Sequence, residues 1–368
     1  MKIPFNNISH QNIALEAAFV ELLKEVNRSN TYILGARVAA LEERIAAFTD
    51  SKYAVSVNSC TDALFLSLKA LGVTSGDEVI TASNSFIATA GAIVATGATP
   101  IFVDIDDSLN IDATKIAEKI SPKTKAIIPV HLTGKPANMV EICKIAHVHN
   151  LVVIEDAAQA FGATLNGKKI GSFGDIGCFS FHPFKVLGGL GDGGLIVTDD
   201  ESLYKVLMKL RNHGIENGVI ETWGYNSRLD AIQAAWILKK FDNFNHEIAR
   251  RNEIAQLYTK NLHGVVECPV TGDNEFCVYQ TYIIKVDQRN ELISFLSKAE
   301  IETAIHYPIP IHLQPVGKRL GCEDGDLPMT EMLSRRILSL PMHSHLQDNE
   351  VNFIAKKIIE FREMADQL

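Results

Sequence analysis

The chain has 368 residues, of which 46% are hydrophobic and 21% charged, and its formal net charge is −9. That size leaves room for one large α/β domain and a smaller one. The acidic surplus speaks against a nucleic-acid or anionic-membrane partner, since each needs a basic face.

No apolar run reaches membrane-spanning length, and Met1 to Asn7 lacks the apolar core of a signal peptide, so a cytoplasmic protein is expected. The six cysteines (Cys60, Cys143, Cys178, Cys268, Cys277 and Cys322) contain no CxxC pair and no histidine spacing suited to zinc. Reduced thiols and no metal centre are the expectation.

Residues 11–49 carry helical spacing, broken by a turn over 29–35. A strand from Ala54 feeds Asn58-Ser59-Cys60-Thr61 and a helix over 62–71. The strand Glu78–Thr81 ends at Ser83-Asn84-Ser85-Phe86 and is followed by a helix reaching Ala95. Next come a strand from Pro100, a helix near 112–120, a strand from Ala126 to His131 and a helix over 137–149. His131 lies past a strand end, where a satisfied structural histidine is the commoner outcome. Leu151–Ile154 then forms a strand that ends in Glu155 and Asp156, with Gln159 three residues on.

Ile176–Phe181 is the next strand and leads into His182-Pro183-Phe184-Lys185. A glycine-dense loop over 188–194 opens another strand rather than a helix, so it fails the context test for a dinucleotide fingerprint. Gly224-Tyr225-Asn226-Ser227-Arg228 precedes a helix from Asp230 to Lys240. Beyond it lie a helix over 245–262, a strand Tyr282–Val286, a helix over 288–299 and a terminal helix from Asn349. Between them, prolines force His306 to Pro315 into an extended segment suited to lining a cleft. Strands at 54, 78, 100, 126, 151, 176 and 194 alternate with helices. That alternation calls for a mostly parallel seven-stranded sheet flanked by helices. Residues 1–240 are expected to form the large domain, and 241–368 a smaller C-terminal α/β domain.

An acid at one strand's end and a lysine past the next suit pyridoxal 5'-phosphate. A lysine holds that cofactor as a Schiff base, and its pyridine nitrogen must stay protonated for it to act as an electron sink. An aspartate facing the nitrogen keeps the proton there. Partial burial of the lysine keeps it nucleophilic. Asp156 and Lys185 both fall beyond the carboxyl ends of strands, where open α/β sheets bind ligands. Taken singly, the acid would read as a cap and the lysine as a solvated loop charge; the ordered pair is the specific signal.

The series Glu155-Asp156-Ala157-Ala158-Gln159, Gly174-Asp175, Phe179-Ser180-Phe181-His182-Pro183, Lys185 and Gly191-Asp192-Gly193-Gly194 resembles the DegT/DnrJ-type sugar aminotransferases, which are fold-type I enzymes. The resemblance runs over nearly the whole chain. It implies that Cys60, Thr61 and Ser180 bind the cofactor phosphate, that Phe86 stacks on the ring, and that Gln159 lies by the ring's phenolic oxygen. Asn226 would reach the phosphate of a partner subunit, making a homodimer with shared sites. His306, Tyr307 and His312 would meet substrate. Two positions depart from the family's habit: Cys60 stands where Gly is common, and Val186 where Asn follows the lysine.

The implied reaction moves an amine from glutamate, or glutamine, to a keto sugar nucleotide for a surface polysaccharide such as O-antigen or for a secondary metabolite. The His-Tyr-Pro-Ile-Pro-Ile-His segment resembles enzymes of dTDP-3-keto-6-deoxyhexoses more than those of 4-keto sugars. A 4-keto sugar nucleotide or an inosose is the alternative substrate. A non-catalytic sugar-nucleotide sensor is the alternative class, which retention of Lys185 with Asp156 disfavours.

Overall fold

The computed structural model describes residues 2–365. Its main sheet contains β1 (Tyr53–Val57), β2 (Glu78–Ala82), β3 (Thr99–Val103), β4 (Thr124–Ile128), β5 (Val152–Asp156), β6 (Ile176–Ser180) and β7 (Gly194–Thr198), the seven strands expected from the sequence. Across the sheet they run β1-β7-β6-β5-β4-β2-β3. The pairs β2/β3, β2/β4, β4/β5 and β5/β6 are parallel, whereas β7 is antiparallel to both β6 and β1.

That reversal decides where chemistry gathers. In register, Gly194 at the start of β7 faces Ser180 at the end of β6 and Val57 at the end of β1. The carboxyl ends of β1, β5 and β6 therefore share one sheet edge with the glycine-dense entry to β7. Ser59, Asp156, Ser180 and the loop carrying Lys185 all issue from that edge.

Helices α1 (Ile8–Ala14), α2 (Glu16–Ser29) and α3 (Ala36–Thr49) precede the sheet. Helices α4 (Cys60–Ala70), α5 (Ile87–Ala95) and α6 (Met139–His149) follow β1, β2 and β4, and α7 (Glu201–Leu210), α8 (Ala231–Phe241) and α9 (Phe244–Leu262) follow β7. Alternate strand residues enter opposite cores. Val153, Leu195 and Val197 pack with Leu41, Ile142 and Ile237, while Ile154, Ile176 and Ile196 pack with Leu64, Leu68 and Leu207. With both faces covered, the strands are near-continuous apolar runs.

A second core surrounds the antiparallel pair β8 (Tyr282–Lys285) and β9 (Ile337–Leu340). Helices α10 (Arg289–Lys298) and α13 (Asp348–Ala365) pack on it beside α9, and α11 (Pro315–Lys318) and α12 (Pro328–Arg336) lie in the connection between the strands. Ile3 joins this core through Ile3 N–H to Glu300 C=O (2.9 Å) and a parallel bridge to Ile301. The first residues thus run with the second core, unlike the expected grouping of 1–240.

The helix expected near 112–120 is two 3-10 turns, Ala113–Lys115 and Ala117–Lys119. Asp112 caps the first by accepting from the Thr114 amide. Ile120 is already extended, and Pro122 follows two residues later, so the connection ends before an α-helix can propagate. No helix among the described residues is long and apolar enough to cross a membrane, and none of their His, Cys, Asp and Glu side chains form a metal-holding group.

Candidate active site

Asp156 closes β5 and is 5% exposed. Its backbone is fixed by Asp156 N–H to Pro129 C=O (2.9 Å) and by His131 N–H to Asp156 C=O (3.1 Å). Its Oδ2 accepts from Thr89 Oγ1 at 2.7 Å, and Oδ1 accepts from the Ala158 amide at 3.1 Å. Glu155, one residue earlier, points the other way, as pleating requires. Its fully buried carboxylate accepts from the amides of Gly171 (2.8 Å), Phe173 (2.6 Å) and Gly174 (2.7 Å), and from His131 Nε2 (3.1 Å). His131 Nδ1 accepts from the Ala137 amide at 3.0 Å, which places the ring's proton on Nε2. The acid–acid pair has thereby split its duties: Glu155 with His131 anchors loops, and Asp156 faces the sheet edge.

Beyond β6, Phe181 N–H donates to Gly193 C=O (2.8 Å) and Lys185 N–H to His182 C=O (2.9 Å), which curls the chain back over the edge. Lys185 is half-buried. Burial pushes its amine below the ordinary lysine range, while the Asp156 carboxylate pulls it back up. Among the described residues no carboxylate forms an ion pair with it. Val186 turns its side chain into the main core and uses its amide to donate to Gln280 Oε1 at 3.0 Å.

Helix α4 begins at the same edge. Ser59 Oγ accepts from the Asp62 amide at 3.1 Å, which leaves the first-turn amides of Cys60 and Thr61 without an intrahelical acceptor. They form an anion seat at the positive end of the helix. A Cβ on Gly194 would lie 2.3 Å from the Ser59 carbonyl oxygen and 2.6 Å from the Cys60 nitrogen, so only glycine lets β7 pass this closely. Ser180, paired with Gly194, is buried at the same edge, and its Oγ accepts from the His182 amide at 3.2 Å. Burial first, then Asp156 and Cys178, hold the Cys60 thiol well above its ordinary range, so it stays neutral and leaves the seat's polarity intact.

The ring-side residues come from three separate elements. Phe86 caps α5, stands 58% exposed and meets Tyr307 at 6.1 Å between centroids. Gln159 accepts from the Thr133 amide (2.9 Å) and donates Nε2–H to the Tyr307 hydroxyl (3.4 Å). Burial, reinforced by Asp156, raises the Tyr307 phenol to about 12. His306 shares a 2.8 Å bond between Nδ1 and Ser339 Oγ and stacks on Phe5 at 5.8 Å. Burial and then Lys185 lower it to about 4, so it is neutral in use.

His312 requires a correction. It is fully buried, its Nδ1 bonded to Ser83 Oγ (2.7 Å) and its Nε2 to Glu331 Oε1 (3.1 Å), so both ring nitrogens are spent inside the protein. It is a strut joining the end of β2 to α12, not a substrate contact. Asn226 lies exposed, its Oδ1 accepting from Arg228 Nε at 3.1 Å. Thr89 and Gln280 were missed in the sequence, although Thr89 does sit one helical turn past Phe86.

The arrangement suits pyridoxal phosphate: a lysine with no ion-pair partner among the described residues, a buried carboxylate with spare acceptor capacity, and free first-turn amides at a helix N-terminus on the same sheet edge. The model of the DegT/DnrJ/EryC1/StrS aminotransferase family matches residues 14–359. The chain belongs to this family. A pleiotropic regulatory protein of Geobacillus stearothermophilus is 42% identical, covering 98% of this chain and 99% of its own. The dTDP-3-amino-3,4,6-trideoxy-alpha-D-glucose transaminase of Streptomyces venezuelae is 37% identical, covering 100% and 98%. Among solved structures, S. venezuelae DesV with a ketimine intermediate superposes at a TM-score of 0.96 (37% identity; 98% and 99% covered). NtdA of Bacillus subtilis with bound cofactor PMP superposes at 0.89 (32%; 100% and 86%). This aminotransferase therefore has the fold-type I architecture that the resemblance implied, built on the mostly parallel sheet that its alternating strands and helices called for.

Proposed function

We propose that this aminotransferase moves an amino group from glutamate to C3 of a dTDP-linked 3-keto-6-deoxyhexose. Its cofactor is pyridoxal 5'-phosphate. The observation that carries the reading is Lys185, half-buried and without an ion-pair partner, on the same sheet edge as the buried Asp156 carboxylate.

When bound, the cofactor supplies an electron sink for charge developing on the carbon next to nitrogen. Lys185 Nζ would hold it covalently and, once freed, would serve as the base that takes up and returns a proton. Asp156, its carboxylate held by Thr89 and Ala158, would keep a proton on the ring nitrogen. The Cys60 and Thr61 amides and the Ser180 hydroxyl would grip the phosphate, Phe86 would cover one ring face, and Gln159 with Tyr307 would border the opposite edge. The neutral His306 and Tyr307 offer hydrogen bonds to sugar hydroxyls.

The protein works as a homodimer with shared sites. Trp223 is 93% exposed, and the neighbouring Val219 and Ile220 also present apolar surface, which a partner subunit would cover. Asn226 leaves the same stretch toward the partner's phosphate. Two relatives differ in name, one regulatory and one a transaminase, but a sensor has no use for an unpaired, half-buried lysine on the same sheet edge as a buried aspartate.

The test offers glutamate or glutamine with dTDP-3-keto-, UDP-3-keto- and dTDP-4-keto-sugars and an inosose, and follows products by mass spectrometry. Fastest amination of the dTDP-3-keto-6-deoxyhexose is expected. Preference for another acceptor would reassign the substrate, and binding without turnover of any would favour the sensor.

A further inference from the structure

Gln280 bonds the backbone of both neighbours of Lys185. Its Nε2–H donates to the Phe184 carbonyl at 2.8 Å and its Oε1 accepts from the Val186 amide at 3.0 Å. These two peptide groups flank Lys185 on either side. A side-chain amide presents a donor and an acceptor side by side at every ordinary pH, so it completes both bonds without bringing a charge near the lysine. We propose that Gln280 is a positioning residue for Lys185, fixing the backbone from which Nζ swings.

The segment carrying Gln280 also braces the opposite side of the site. Val278 N–H donates to Gly134 C=O (3.1 Å) and Thr281 N–H to Thr133 C=O (3.4 Å), while Thr133 N–H in turn donates to Gln159 Oε1 (2.9 Å). Gly134 has φ +88°, and a Cβ there would stand 2.8 Å from Val278 Cγ2 and 2.9 Å from the Gln280 nitrogen, so the two segments lie flush. One residue later the chain enters β8 and the second core. A short strap thus ties the seating of the second core to both Lys185 and Gln159.

The strap also accounts for Val186. The lysine loop does not need a polar side chain after Lys185, because the Val186 amide takes up Gln280 and its side chain fills the core.

The inference rests on Lys185 being the cofactor-bearing residue, so the test keeps one readout that does not depend on cofactor. Gln280→Leu and Gln280→Glu are compared with the unaltered protein. The measurements are amide exchange of residues 181–190 without cofactor, the rate at which borohydride-trapped pyridoxal phosphate accumulates on Lys185, and steady-state kinetics. Gln280→Leu removes both bonds. Exchange at Val186 is expected to rise about ten-fold, and capture and kcat to fall about ten- to a hundred-fold, the cost of a misplaced reacting group. KM for the amino donor should stay within about two-fold. Gln280→Glu keeps the Val186 bond but sets a carboxylate oxygen against the Phe184 carbonyl, so it should protect Val186 and still slow capture.

Unaltered exchange and capture in a folded Gln280→Leu would overturn the role. So would exchange that rises evenly through the second core, the mark of a merely structural residue. If Gln280→Leu does not fold, Gln280→Glu decides, and capture at the unaltered rate in that variant overturns the role. Cofactor trapped on a different lysine of the unaltered protein would fail the functional reading instead, while exchange still reports on the clamp.

Discussion

Thr89 Oγ1 donates to Asp156 Oδ2 at 2.7 Å, with Thr89 1% and Asp156 5% exposed. A carboxylate has about four lone-pair sites. Thr89 and Ala158 occupy two, which hold Asp156 in one rotamer and leave it capacity to accept further hydrogen bonds.

Thr89→Val keeps shape but drops the charge-assisted bond, worth about 1.5–3 kcal/mol. Cofactor should still bind, with kcat lowered roughly ten-fold or more. Asp156→Asn should retain cofactor and lose most of the remaining turnover, because the ring nitrogen is no longer held protonated. Unchanged kcat in Asp156→Asn, measured at saturating cofactor, would remove Asp156 from its role.

Lys185 makes a prediction about pH. Burial lowers its amine from the unfolded value of about 10.4, so between the lowered value and 10.4 the unfolded chain binds more protons than the folded one. Stability contributed by this residue therefore rises with pH across that window, and below it the cost of burying the ammonium is present in full. Lys185→Met should raise the thermal midpoint of cofactor-free protein at pH 7, with the gain vanishing as pH approaches about 10.4. The same variant should capture no cofactor. Capture on another lysine, or a midpoint that falls at pH 7, would contradict the assignment.

The sheet was legible because doubly buried strands are bare apolar runs between turn residues, as Val152–Ile154 and Ile176–Ser180 illustrate. Asp156 and Lys185 could be paired from the sequence because one cofactor demands both at neighbouring strand ends, and the structure brings both to one sheet edge. What stayed hidden depends on long-range pairing. Thr89 lies 67 residues from Asp156, and Gln280 lies 94 residues from Val186. No local pattern marks either contact. His312 misled for the same reason: its neighbours are prolines of an extended segment, but Ser83 is 229 residues away.

His312 should behave as a structural residue. Replacing it with Ala leaves Ser83 and Glu331 short of a partner inside the protein and opens a void where the ring lay, at a cost of about 2–4 kcal/mol. The denaturant midpoint should fall accordingly, while kcat/KM per folded molecule stays within about two-fold. Strong loss of kcat/KM at unchanged stability would restore His312 as a substrate contact.

Sharing of the active site is tested by mixing Lys185→Ala with Asn226→Ala subunits. Asn226 is exposed within its own chain, 41 positions beyond Lys185 in the numbering. Alone, Asn226→Ala should weaken cofactor binding by about ten- to a hundred-fold, the value of one charge-assisted hydrogen bond of roughly 1.5–3 kcal/mol to phosphate. In a heterodimer with shared sites, one site carries both lesions and the other neither, so the mixture should regain part of the activity that each parent lacks. If each site were built from a single chain, every site in the mixture would carry one lesion and nothing would be regained. Exchange of subunits is verified by separating differently tagged chains before assay. With exchange verified, a mixture no more active than the average of its parents would rule out the shared site.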